Sequence, residues 1–193
     1  MNEIKARVEQ LRAQMKAHGV DAYIVPTSDF HETEYVCDHF KAREYMSGFT
    51  GSAGTCVFTA DAAKLWTDGR YFIQAAKQLE GSGIELMRMG DEGVLTIEAY
   101  LREALPAHAT LGFDGRVMNT AMVERLCAQL NEVTISCDMD LVGAIWQDRP
   151  ALPASKTFEL AQRYTGKSAA QKLSEVREAM AEAGADIHII TRV

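Results

Sequence analysis

Residues 7–25 read RVEQLRAQMKAHGVDAYIV, and residues 172–190 read KLSEVREAMAEAGADIHII. Both stretches spell an amphipathic helix, a glycine, an aspartate and an apolar run. Under a shift of 165 positions, Arg12 meets Arg177, Met15 meets Met180, Gly19 meets Gly184, Asp21 meets Asp186 and Ile24 meets Ile189. Helix, glycine stop and strand make an α/β unit that cannot bury its own apolar face. The first copy is followed by enough chain for a domain of ordinary size. After the second, only Thr191, Arg192 and Val193 remain. The repeat predicts one domain over residues 1–155. Over 156–193 it predicts a linker and the truncated start of a second, related domain.

Bulk properties narrow the class. A chain of 193 residues, 47% hydrophobic and 24% charged, is an ordinary globular sequence of about one domain and a remainder. Its net charge of -7 and its lack of any long Lys/Arg run argue against nucleic acid as a partner. The charged, helical segment from Met1 to Gln10 is neither a secretory signal nor a membrane span, so no membrane partner is expected. Cys37, Cys56, Cys127 and Cys137 show no C-x-x-C spacing and read as free thiols of a reducing cytoplasm.

Periodicity gives the elements outward from the first copy. Ile4, Val8, Leu11 and Met15 share one helical face that Gly19 ends, and strand 22–25 follows. A polar loop covers 30–38, then a short helix 40–46, a β-hairpin 55–59 and 64–67, and a helix 71–79. Strand 84–89, a helix 94–105 stopped by Pro106, strand 111–114, a helix capped by Thr120, strand 133–137 and a helix 141–147 complete the domain. The fold class is α/β: a mixed six-stranded sheet flanked by helices, plus the first helix and strand of a second similar domain. Pro150 and Pro153 mark the linker, and Ser168 with Gln171 has capping-box spacing.

Three segments invite a chemical reading. Gly48, Gly51 and Gly54 suggest a phosphate loop, but no G-K-[ST] follows, so tight turns and close backbone packing are the better reading. His31, Glu32, Glu34, Cys37, Asp38 and His39 are the densest set of potential metal ligands. No second pair completes them, which favours a solvated or interface loop. In Thr67-Asp68-Gly69-Arg70-Tyr71-Phe72, an Asp-Gly turn after a strand places Arg70 at the start of a helix. A guanidinium there can bind a carboxylate through paired hydrogen bonds, or simply pair with Asp68 on the surface. No G-x-S-x-G elbow and no paired catalytic carboxylates occur, so no catalytic residue is assigned.

These segments carry a resemblance. Ala22-Tyr23-Ile24-Val25-Pro26-Thr27-Ser28-Asp29 leading to His31, Glu34 and Tyr35 resembles the opening of the cytosolic Xaa-Pro aminopeptidases (aminopeptidase P). Ser47-Gly48-Phe49, Gly51-Ser52-Ala53-Gly54-Thr55, Leu65-Trp66-Thr67-Asp68-Gly69-Arg70-Tyr71-Phe72 and Ile145-Trp146-Gln147-Asp148-Arg149-Pro150 continue it in order. The resemblance implies a creatinase/prolidase-type N-terminal domain from a cytoplasmic, homodimeric metallopeptidase acting on proline-containing peptides. Two divalent metals, usually manganese, would sit in a C-terminal domain that activates water for hydrolysis. The 193 residues alone would then bind no metal and be inactive. The domain would serve dimerisation and access to the active site, with Arg70 first as substrate or inter-subunit contact, Asp68 orienting it, Tyr71 nearby, and His31 and Glu34 next. An alternative is a binding module of a related protein whose peptidase domain has lost its metals.

Overall fold

Four consecutive residues, Ala22 to Val25, are all buried, because strand β1 (Ala22–Pro26) lies inside the sheet with helices on both faces. The computed structural model describes residues 3–190. β1 pairs antiparallel with β2 (Thr55–Thr59), which pairs antiparallel with β3 (Ala63–Thr67). β3 pairs in parallel with β4 (Glu85–Arg88). On its other side β1 pairs in parallel with β5 (Thr110–Phe113), and β5 with β6 (Thr134–Ser136). The order is β4-β3-β2-β1-β5-β6, the mixed six-stranded sheet expected from the sequence.

Side chains alternate between the two faces, as the pleat requires. Tyr23, Val25, Cys56, Phe58 and Leu65 meet helices α1 (Glu3–Ala17), α2 (Ala42–Ser47), α3 (Phe72–Gln78) and α6 (Leu141–Ile145) on one side. Ala22, Ile24, Val57, Trp66, Leu111 and Phe113 meet α4 (Ile97–Ala104) and α5 (Thr120–Gln129) on the other. A strand covered on both faces reads as an unbroken apolar run, which is why β1 has no alternation in sequence. Burial also pushes the Cys56 thiol up to about 12, leaving it a packing residue.

Several expectations need correction. The cap of α5 is Asn119, whose side chain accepts from the Met122 amide at 2.8 Å, and Thr120 is the first helical residue. α3 begins at Phe72 with Tyr71 as its cap, so Arg70 stands in the turn before the helix. Gly48 does close α2 with a φ of 71°, but the need at Gly51 is space: a Cβ there would overlap the Phe49 ring and lie 2.7 Å from Tyr71.

The described residues fall into two units, dividing between Leu152 and Pro153. In the second, α7 (Gln162–Thr165) precedes α8 (Ala169–Glu182). Ser168 and Gln171 form the expected capping box, with bonds of 2.9 and 3.3 Å. The expected strand over 187–190 does not form. A strand exists only through a partner's hydrogen bonds, and among the described residues this segment has none, leaving Ile187 78% exposed. Among the described residues, no helix is long and apolar enough to cross a membrane.

Candidate functional site

Five strands run in one direction and β2 runs against them. The loops after β1, β3 and β5 and the loop before β2 therefore open on one edge of the sheet, at the carboxyl ends of the parallel strands. This edge is where open α/β sheets present their ligand-binding residues. His31, Glu34, Asp68, Arg70 and Tyr71 all belong to these loops.

At the end of β3, Arg70 donates from Nε to Asp68 Oδ1 and from Nη2 to Asp68 Oδ2, both at 2.8 Å. The Arg70 amide also reaches Asp68 Oδ1, at 3.1 Å. These hydrogen bonds hold the Asp68 carboxyl down at about 2 and raise the Arg70 pKa. The fork uses one side of the guanidinium. Among the described residues, Nη1 makes no hydrogen bond, and the side chain is 69% exposed. Glu34 is close enough for its charge to act on Arg70, whereas His31 contributes its backbone amide to Asp29 at 2.8 Å. The structure thus brings Asp68, Arg70 and Tyr71 together with Glu34 beside them, and leaves the His31 ring apart from their hydrogen bonds.

The glycine-rich loop is the second wall. Ser52 Oγ and Tyr71 Oη lie 2.7 Å apart, Thr67 Oγ1 donates to Ala53 O at 2.7 Å, and Thr27 Oγ1 donates to Gly54 O at 2.7 Å. Arg43, which the sequence reading passed over, binds this loop to β1. It is 3% exposed, donates to the carbonyls of Phe49 and Gly51 and, at 3.0 Å, to Thr27 Oγ1, and lies over the Phe49 ring. Burial lowers its pKa, and among the described residues no carboxylate bonds to it. Its signal in the sequence was an arginine three residues before the buried Met46-Ser47, on a helix too short to show a period.

A second Asp-Gly-Arg was also missed. Asp114-Gly115-Arg116 follows β5 and repeats the fork, with Nε to Oδ1 at 2.9 Å and Nη2 to Oδ2 at 2.8 Å. Here Arg116 Nη2 also bonds Asp140 at 3.1 Å, and Asp140 in turn binds Arg149 at 2.5 Å. Arg116 is thus shared between two carboxylates and ties β5 to α6. Among the described residues Arg70 has a single bonded partner, which distinguishes it from Arg116.

The candidate metal ligands separate. Glu32 accepts from Asn119 at 2.7 Å, Asp38 pairs with Lys41 at 2.6 Å, and the His39 ring meets Pro150 O at 2.8 Å. No group of three or more His, Cys, Asp or Glu among the described residues could hold a metal ion.

A family model described as the creatinase/prolidase N-terminal domain matches residues 7–144, and a second of the same description matches 148–193. The chain belongs to the creatinase/prolidase N-terminal domain family. It is 37% identical to Xaa-Pro aminopeptidase 1 of Dictyostelium discoideum over 97% of its length, and 38% identical to aminopeptidase P2 of Arabidopsis thaliana over 90%. It spans 32% and 25% of those proteins, about a third or less of each. Its fold matches the X-prolyl aminopeptidase of Caenorhabditis elegans, a cytosolic enzyme with a di-nuclear active site, with a TM-score of 0.84 and 28% identity. That match covers 96% of this chain and 32% of the enzyme. The N-terminal domain of the cytoplasmic peptidase PepQ from Mycobacterium tuberculosis matches 72% of the chain at a TM-score of 0.53 and 29% identity, over 98% of its own length. The creatinase/prolidase-type fold expected from the sequence motifs is the fold found.

Proposed function

We propose that this creatinase/prolidase N-terminal domain is the non-catalytic leading part of a cytoplasmic, metal-dependent Xaa-Pro aminopeptidase, and that it helps form the homodimer and shape access to the active site. Residues 156–193 open a second domain of the same kind. The reading is supported by relatives that are Xaa-Pro aminopeptidases along nearly the whole chain, of which the chain spans about a third or less. The ligands of two divalent metals, manganese by family resemblance, belong to a further domain; nothing among the residues described above fits that role.

The observation that carries the role is the exposed Asp68–Arg70 fork. Asp68 fixes the guanidinium plane, and Nη1 is left to bind a carboxylate of a peptide substrate or of the neighbouring subunit. Tyr71, held by Ser52, buttresses the turn, and Glu34 sets the local charge. The test is Arg70→Ala in the longer aminopeptidase that carries this domain. Weaker binding of an Xaa-Pro peptide, or a shift of the dimer toward monomer, is expected. Unchanged peptidase kinetics together with unchanged sedimentation would remove the proposal.

A further inference from the structure

A cavity of about 480 Å³ opens beside Trp66, on the sheet face opposite α1, and borders the Arg70 turn through Asp68. Its volume lies within the range of small-molecule sites. The walls come from the end of β3, the segment 89–96, and α4 and α5. Trp66, Met89, Val94, Leu95, Ile97 and Met122 make it apolar. The Trp66 indole N–H is already spent on Leu95 O at 2.8 Å, so the wall has no donor to offer from that ring.

Three charged side chains line this space: Asp68, Glu98 and Arg125. Asp68 is engaged by Arg70. Glu98 differs, since its side chain is only 16% exposed, yet among the described residues it accepts no hydrogen bond. The nearest cation is Arg125 Nε at 3.8 Å, beyond hydrogen-bond reach, on a side chain that is 59% exposed. No buried side-chain oxygen among the described residues lacks a partner, so the Glu98 oxygens reach solvent and stay open to a donor carried by a ligand. Asp68 is balanced by Arg70, which leaves Glu98 and the exposed Arg125 as the charges a ligand meets in this lining.

We propose that this cavity is a binding site for a small apolar amine, whose primary ammonium bonds Glu98 while its hydrocarbon body covers Trp66 and Met122. The ligand supplies the donor that Glu98 lacks and displaces water from the apolar wall, so charge and shape act on the same molecule. A neutral isostere keeps the apolar contact and loses the ionic bond. An anionic isostere placed the same way sets a second carboxylate against Glu98.

The test is NMR titration of this 193-residue chain with 2-phenylethylamine, 2-phenylethanol and 3-phenylpropionate. The amine is expected to shift the Trp66 indole and the Leu95 to Ile97 amides saturably. Binding should weaken about tenfold for the alcohol and for Glu98→Gln, the size of one charge-assisted hydrogen bond. Met122→Trp, which fills the space, should abolish binding while the remaining amide spectrum stays dispersed. Absence of a saturable shift, equal affinity in Glu98→Gln, or propionate binding as tightly as the amine would overturn the proposal.

Discussion

Arg70 grips Asp68 through two hydrogen bonds of 2.8 Å, Nε to Oδ1 and Nη2 to Oδ2, across a single intervening glycine. The same fork recurs at Arg116 and Asp114, three strands along the same edge of the sheet, on the order of 14 Å off by the interstrand spacing. The second fork is locked further by Asp140, and the first is not. An Asp-Gly-Arg turn after a strand is thus a local device for presenting a planar guanidinium, and its surroundings decide how many carboxylates share it. Among the described residues Arg116 bonds two and Arg70 one, and Arg70 is the more exposed.

The fork sets a titration. Asp68 is held at about 2, below the ordinary carboxylate value of about 3.9. Because the folded-state value is depressed, its contribution to stability is complete above about pH 4 and lost as pH falls toward 2. Both side chains are well exposed, so that contribution is small. Carbon-detected NMR should give an Asp68 midpoint near 2 that returns to the ordinary range in Arg70→Ala. An unmoved midpoint in the variant would contradict the fork.

Arg43 should matter more to stability than any exposed arginine. Arg43→Met removes the donors that satisfy the Phe49 and Gly51 carbonyls and releases the glycine-rich loop from Thr27. A loss of about 2–4 kcal/mol is expected from stranding buried acceptors, read by urea unfolding. A loss under about 0.5 kcal/mol would show that the loop is held by other means.

Gly51→Ala acts on the same loop from outside the hydrogen bonds. The new Cβ overlaps the core residue Phe49 and crowds Tyr71. Overpacking of this kind costs about 1–3 kcal/mol. It should also separate Ser52 Oγ from Tyr71 Oη, seen as a changed chemical shift of the Tyr71 ring carbon that bears the hydroxyl. Gly81→Ala is unsuitable as a control, because Gly81 has a φ of 70° that alanine resists.

The repeat makes a paired test. Leu11 and Val176 occupy matching helical positions, yet Leu11 is fully buried against the sheet and Val176 is 40% exposed. Leu11→Ala should cost about 2–5 kcal/mol, and Val176→Ala no more than about 0.5. Similar losses at both sites would mean that the helix around Val176 packs as α1 does.

The parts of the fold written in local chemistry were legible. The apolar run of β1, the Asp61-containing hairpin, Gly19 and Ser168 each fix their own conformation, and the structure places them as read. Choices between neighbours were not legible: Asn119 and Thr120 can both cap a helix, and the extended backbone at Asn119 decides. Arg43 was hidden because its partners are loop carbonyls six and eight residues on, which no helical period displays. The 187–190 segment shows the reverse failure. Its apolar residues spell a strand, but pairing is a property of two strands, not of one.

The most direct measurement takes the purified 193-residue chain, adds manganese and a peptide with proline in second place, and follows release of the first residue. As a non-catalytic leading domain it should release none above the rate of metal and peptide alone. Sustained release proportional to the concentration of this chain would place a peptidase centre within these residues and contradict the account.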